Sequence, residues 1–244
     1  MNAMIETLGL TSALSPFMGL LEKGGIVVGL LLAVSVLALT IVFAKLWQFG
    51  VAGVGRHRKA QQAVAFWRVG KRDQAYHLVV TDRSPVSDVL AHAMRGLMKP
   101  QVPEEKIRED VERVCFTHLG DLRSYLRPLD MIAQIAPLLG LFGTVIGMIG
   151  AFQAMADAGS QVDPSMLAGG IWVALLTTAV GLAVAIPASV MLSLFEGRIE
   201  REQGAMERIV TELFTGAITS VVAQTDEKAT SREMARFEVV HDAP

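Results

Sequence analysis

Hydroxyl groups set in the middle of long apolar stretches are the side chains of this sequence best placed to do chemistry. Thr144 lies in Ile135-Ala-Pro137-Leu-Leu-Gly140-Leu-Phe-Gly143-Thr144-Val-Ile-Gly147. Thr178 lies in Gly169-Gly-Ile-Trp-Val-Ala-Leu-Leu-Thr177-Thr178-Ala-Val-Gly181, which ends in Ala-Ile-Pro187. A hydroxyl at membrane depth either bonds within its own bundle or lines a polar path. For one threonine alone the ordinary outcome is a bond to its own helix backbone. Two at matching depth on antiparallel helices would form a polar ring once several subunits assemble, so Thr144 and Thr178 are the candidate ion-pathway residues. Thr177 is about 100° further round its helix and belongs to another face.

The surrounding pattern concerns how those helices meet. Gly143 and Gly147 make a G-x-x-x-G step, Gly140 and Thr144 a second small step, and Gly181 follows Thr178. Such steps generally mark close helix packing. Pro137 and Pro187 each remove a backbone donor inside a span, giving a kink or a hinge.

An absence carries as much weight as these motifs. Residues 131–156 and 164–195 contain no Asp, Glu, Lys, Arg or His. Moving a proton through a bilayer takes a group that can bind and release it. A carboxylate relay therefore has to be completed by another chain, or the protein conducts no protons.

Three stretches are long enough to cross a membrane: transmembrane helices over 26–46, 129–156 and 166–195. The first runs uncharged from Ile26 to Ala44. At 1.5 Å per residue that stretch reaches about 28 Å, close to the thickness of a bilayer core. It is too long for a signal-peptide core, and Lys45-Leu-Trp47 looks like an interfacial anchor, so it reads as a retained span. Lys45, Arg56, Arg58, Lys59, Arg123, Arg127, Arg198 and Arg201 flank the spans on one side. The basic-residue bias puts 1–25 and a short 157–165 turn in the periplasm, and 47–128 and the C-terminus in the cytoplasm.

The cytoplasmic parts carry helical periodicity. Ser84-Pro85 breaks the 47–128 region, and Pro103-Glu104-Glu105 starts a helix with proline and acids in its first turn. Ile107, Val111, Val114, His118, Leu122 and Leu126 then form one apolar face, on a helix expected to run on into the second span. An amphipathic helix over 196–224 continues the third span, and 225–244 is expected to be disordered. The fold class is all-α: an integral membrane protein with three transmembrane helices, two of them extending into a cytoplasmic helical bundle.

Composition excludes several functions. The net charge is −2 with no basic stripe, so nucleic acid is not an expected partner. Cys115 is the single cysteine and reads as a packed core thiol. No phosphate loop, nucleophile elbow or metal-spaced histidine cluster occurs, so no enzyme activity, cofactor or metal is expected.

The two motifs, Leu138-Leu-Gly-Leu-Phe-Gly-Thr144-Val-Ile-Gly147 and Ala174-Leu-Leu-Thr-Thr178-Ala-Val-Gly181, resemble those of the MotA/TolQ/ExbB proton-channel family, its ExbB branch above all. The span layout from Gly19 to Val222 is similar as well. The resemblance implies a homopentamer in the bacterial inner membrane around a pair of single-span, ExbD-like or TolR-like helices. A partner aspartate would carry the proton past Thr144 and Thr178. A TonB-like protein would pass the work of the proton motive force to outer-membrane transport. Well-known members carry a glutamate just before the Ala-Leu-Leu of the third span, where this chain has Val173. A TolQ-like subunit for envelope maintenance and a non-conducting membrane scaffold are the alternatives. A solute transporter is disfavoured by the lack of inverted repeats and broken-helix sites.

Overall fold

The computed structural model describes residues 10–157 and 164–241, with side-chain surroundings for 25–157, 165 and 167–216. The inter-span turn expected over 157–165 lies almost wholly outside the described residues, as do residues 1–9 of the N-terminal segment. The elements are α1 (Leu10–Ala52), α2 (Arg58–Arg68), α3 (Arg72–Val80), α4 (Pro85–Leu97), α5 (Glu104–Arg123), α6 (Leu126–Asp157) and α7 (Pro164–His241). No strand occurs among the described residues, and three helices are long and apolar enough to cross a membrane. The all-α membrane architecture is as expected.

The chain packs as two units, residues 1–47 with 124–196, and residues 48–123 with 197–244. In the first, Leu31 of α1, Ala136 of α6 and Ala185 of α7 form a buried cluster, with Val27, Leu139, Val180 and Val184 against it. Small side chains at its centre allow three helix backbones to converge. Large apolar side chains point outward instead: Leu138, Leu141, Phe142 and Val145 on α6, and Trp172, Leu175 and Ile186 on α7, are all exposed. This inside-small, outside-large arrangement suits helices whose surroundings are lipid or other apolar helices. α1 is interrupted at Gly25, whose φ of 63° and ψ of −161° are not helical. Lys45 is buried inside the protein, so it does not reach out as an anchor, whereas Trp47 is exposed.

The second unit is an ordinary amphipathic bundle. Ala60, Ala63, Val64 and Trp67 of α2, and Ala75 and Val79 of α3, are buried. Ser84 caps α4 by accepting from the Ser87 N–H, and Pro85 occupies the first turn, where its missing donor costs nothing. On α5 the buried residues are Ile107, Val111, Val114, Leu119 and Leu122. His118, expected on that face, sits at its edge and bonds Asp88 Oδ2 at 2.8 Å. Ile199, Met206, Ile209, Leu213 and Phe214 of α7 complete the core.

Two further expectations differ from the structure. The helix begun near Pro103 does not run on into the second span: it stops at Arg123, and Tyr125 adopts a φ of 60° before α6 begins. Pro128 explains the break. Its ring lacks the N–H that would bond the carbonyl of residue 124 and would clash with it, so a continuous helix fails there. As the third residue of α6, the same proline is tolerated. In the tail, helix continues to His241 where 225–244 was expected to be disordered. Residues 217–241 contain no Gly or Pro, so nothing local terminates the helix.

Candidate ion-pathway site

The site is built by an antiparallel seam between α6 and α7 in the first unit. Its register follows from what a Cβ would meet at each glycine. At Gly181 a Cβ would lie 2.6 Å from the Ala136 carbonyl oxygen, and at Gly140 it would lie 2.9 Å from the Thr177 carbonyl oxygen. A Cβ at Gly143 would lie 2.6 Å from Thr177 Oγ1, and one at Gly147 would lie 3.0 Å from Ala174 Cβ. Thus 136, 140, 143 and 147 descend one helix as 181, 177 and 174 ascend the other. These separations leave no room for a side chain, which is why glycine stands at each point of approach. The predicted packing residues Gly140, Gly143, Gly147 and Gly181 all lie on this one seam.

Thr177 seals it. It is buried, and its hydroxyl donates to Ala174 O at 2.7 Å and, across the seam, to Gly140 O at 3.1 Å. The one hydroxyl proton is shared between them, with the shorter contact inside α7. Pro137 and Pro187 lie inside α6 and α7 respectively, each leaving a carbonyl one turn earlier without its usual donor.

The two candidate pathway threonines differ from each other. Thr144 Oγ1 donates to Leu141 O at 2.6 Å, the local backbone bond expected of an isolated membrane threonine. Thr178 Oγ1 is buried and has no hydrogen-bond partner among the described residues. No hydrogen bond joins Thr144 to Thr178 among the described residues. Among the described residues, Thr178 is therefore the buried hydroxyl left unsatisfied in this unit. An unmade hydrogen bond in an apolar setting costs about 1–3 kcal/mol, so such a group is a strong acceptor or donor for any polar group that reaches it.

Two polar clusters in the second unit were not among the residues singled out in the sequence. Glu202 of α7 is 1% exposed and accepts from His57 Nε2 at 2.9 Å and from the Gly55 N–H at 2.9 Å, while its Oε1 has no partner among the described residues. The signal was present: Glu202 occupies an apolar register position between Ile199 and Met206. Asp82 accepts from the Ser84 and Ser87 hydroxyls, each at 2.7 Å, with Lys59 Nζ at 3.3 Å. Burial alone would raise the Asp82 pKa, but the two hydroxyls and the ammonium outweigh it and hold the carboxyl below its ordinary value. Cys115 is half-buried, its thiol 3.5 Å from Met206 Sδ. Among the described residues no group of three or more His, Cys, Asp or Glu side chains is placed to hold a metal ion.

Comparison with known proteins fits this arrangement. The profile of the MotA/TolQ/ExbB proton channel family matches residues 81–208, which takes in α4 to α6 and all of the charge-free part of α7. A putative biopolymer transport protein ExbB homolog of Methanothermobacter thermautotrophicus is 36% identical over 127 residues, covering 52% of this chain and 43% of that protein. Biopolymer transport protein exbB1 of Vibrio cholerae is 37% identical over 114 residues, covering 45% and 50%. The Tol-Pal system protein TolQ of Haemophilus influenzae is 35% identical over 113 residues, covering 44% and 49%. The chain spans about half the length of these curated relatives. The matched profile covers more than half of the sequence and includes both threonine motifs: the chain is a multi-pass membrane protein of the MotA/TolQ/ExbB proton channel family.

Proposed function

We propose that this chain is the channel-forming subunit of an inner-membrane complex that uses the proton motive force. Several copies enclose a separate, single-span partner whose carboxylate carries the proton past Thr178 and Thr144. The observation that carries this reading is the Thr178 hydroxyl, buried without a partner among the described residues, in a pair of helical stretches, 131–156 and 164–195, that contain no titratable side chain. A membrane hydroxyl left unsatisfied by its own chain suits a site completed by another. A carboxylic acid is a fitting occupant, because it donates when protonated and accepts when ionised.

Orientation follows the basic flanks, with the N-terminus periplasmic and the second unit cytoplasmic. Each proton crossing the membrane releases about 2.3 kcal/mol per 100 mV, enough for a modest conformational step. The relatives named for biopolymer transport support an ExbB-like role with ExbD-like and TonB-like partners, driving outer-membrane transport. The relative named for the Tol-Pal system supports a TolQ-like role in envelope maintenance as the second reading.

The test is proton flux through vesicles containing the intact complex. Thr178→Val should lower flux about tenfold, the effect of one lost hydrogen bond of about 1.4 kcal/mol in the rate-limiting step, while assembly is unchanged. Wild-type flux from the Thr144→Val, Thr178→Val double variant contradicts the assignment.

A further inference from the structure

One reason that Thr178 is left without a partner lies one residue away. A membrane threonine ordinarily satisfies its hydroxyl on the carbonyl four residues back, which for Thr178 is Ala174 O. That oxygen has two lone pairs. One takes the Thr178 N–H in the helical ladder. The other takes the Thr177 hydroxyl at 2.7 Å. No lone pair on Ala174 O remains for Thr178, and its hydroxyl does not take the carbonyl three residues back, Leu175 O, the acceptor position that Thr144 and Thr177 use.

The same side chain fixes how α7 is turned. Thr177 sits where Gly143 has no side chain, and its hydroxyl reaches Gly140 O at 3.1 Å. With residue 177 facing α6, residue 178 is rotated about 100° away from that contact. Thr177 is buried while Thr178 is half-buried, in keeping with that rotation.

We propose that Thr177 is a positioning residue for proton transfer. By occupying Ala174 O and locking α7 against Gly140 and Gly143, it keeps the Thr178 hydroxyl, buried in the chain alone, unsatisfied and available to the group that carries the proton. This rests on the reading of Thr178 as a pathway hydroxyl. Thr177→Val is nearly isosteric, so the seam keeps its packing but Ala174 O gains a vacant lone pair. Thr178 then folds back onto its own helix and is lost to the pathway.

Proton flux is measured with the assembled complex in vesicles, for Thr177→Val, Thr177→Ser, Thr178→Val and the Thr177→Val, Thr178→Val pair. The expected result is a fall of about threefold to tenfold for Thr177→Val. Thr177→Ser, which retains the hydroxyl, keeps most of the flux. The double variant is no worse than Thr178→Val, because Thr177 acts only through Thr178. Wild-type flux from Thr177→Val, or losses that multiply in the pair, overturns the positioning role and leaves the pathway reading standing. Wild-type flux from Thr178→Val overturns both. Where residual flux is too small to compare, the labelling rate of a Thr178→Cys thiol is read with and without Thr177→Val. It should fall several-fold in the Val background, and an unchanged rate overturns the proposal. If Thr177→Val fails to assemble, Thr177→Ala replaces it in both measurements.

Discussion

His57 Nε2 lies 2.9 Å from Glu202 Oε2, joining the turn after α1 to a carboxylate that is 1% exposed. The Gly55 N–H reaches the same oxygen at 2.9 Å. Glu202 thus has one carboxylate oxygen met by two donors at the edge of the second unit's core.

Glu202→Ala should destabilise the second unit by about 1–3 kcal/mol, the loss of two part-buried hydrogen bonds to a carboxylate. Glu202→Gln retains one carbonyl oxygen and should lose less. Chemical denaturation of the detergent-solubilised protein, followed by helical circular dichroism, checks the order. An alanine variant as stable as the wild type would show that the contact contributes nothing.

Asp82 makes stability depend on pH in a defined direction. Its folded pKa lies below the unfolded carboxylate value of about 3.9, so its contribution is fully present above that value. It is lost as pH falls through the lower folded pKa, when Ser84, Ser87 and Lys59 face a neutral acid. Asp82→Asn should therefore be less stable than wild type at neutral pH, and the gap should close in acid. Melting curves of both proteins between neutral pH and about pH 3 test this. A gap that stays constant across that range would contradict it.

The seam predicts opposite signs for two chemically identical changes. Gly143→Ala places a methyl against Thr177, where the approach leaves no space, and should destabilise by about 1–3 kcal/mol. Gly150→Ala meets nothing within 4 Å. It should stabilise the helix by about 0.5–1 kcal/mol, because alanine loses less backbone freedom than glycine on folding. Paired unfolding measurements decide it, and equal effects would refute the register.

Much of this was legible in the sequence because lipid simplifies the code. A charge-free run of sufficient length has few options besides a spanning helix, and glycines at steps of three and four announce close approach. The seam glycines 140, 143, 147 and 181 were all visible on that basis. Less legible were features decided by a single competing residue. Pro128 breaks a helix three residues before itself, at a tyrosine no turn rule favours. Leu119 is buried in place of His118 because Asp88 of α4 draws the histidine to the edge. Thr177 could be assigned to another face, yet its hold on Ala174 O depends on rotamer and register, which periodicity does not encode. Glu202 was concealed by its place in an apolar stripe.

The most direct test is proton current through purified protein reconstituted alone, and again with the proposed single-span, aspartate-bearing partner. The account predicts no current from this chain by itself, robust current from the pair, and loss of that current when the partner's aspartate is changed to asparagine. Robust proton current from the chain in isolation would contradict it, since the spans 131–156 and 164–195 hold no group able to carry the proton.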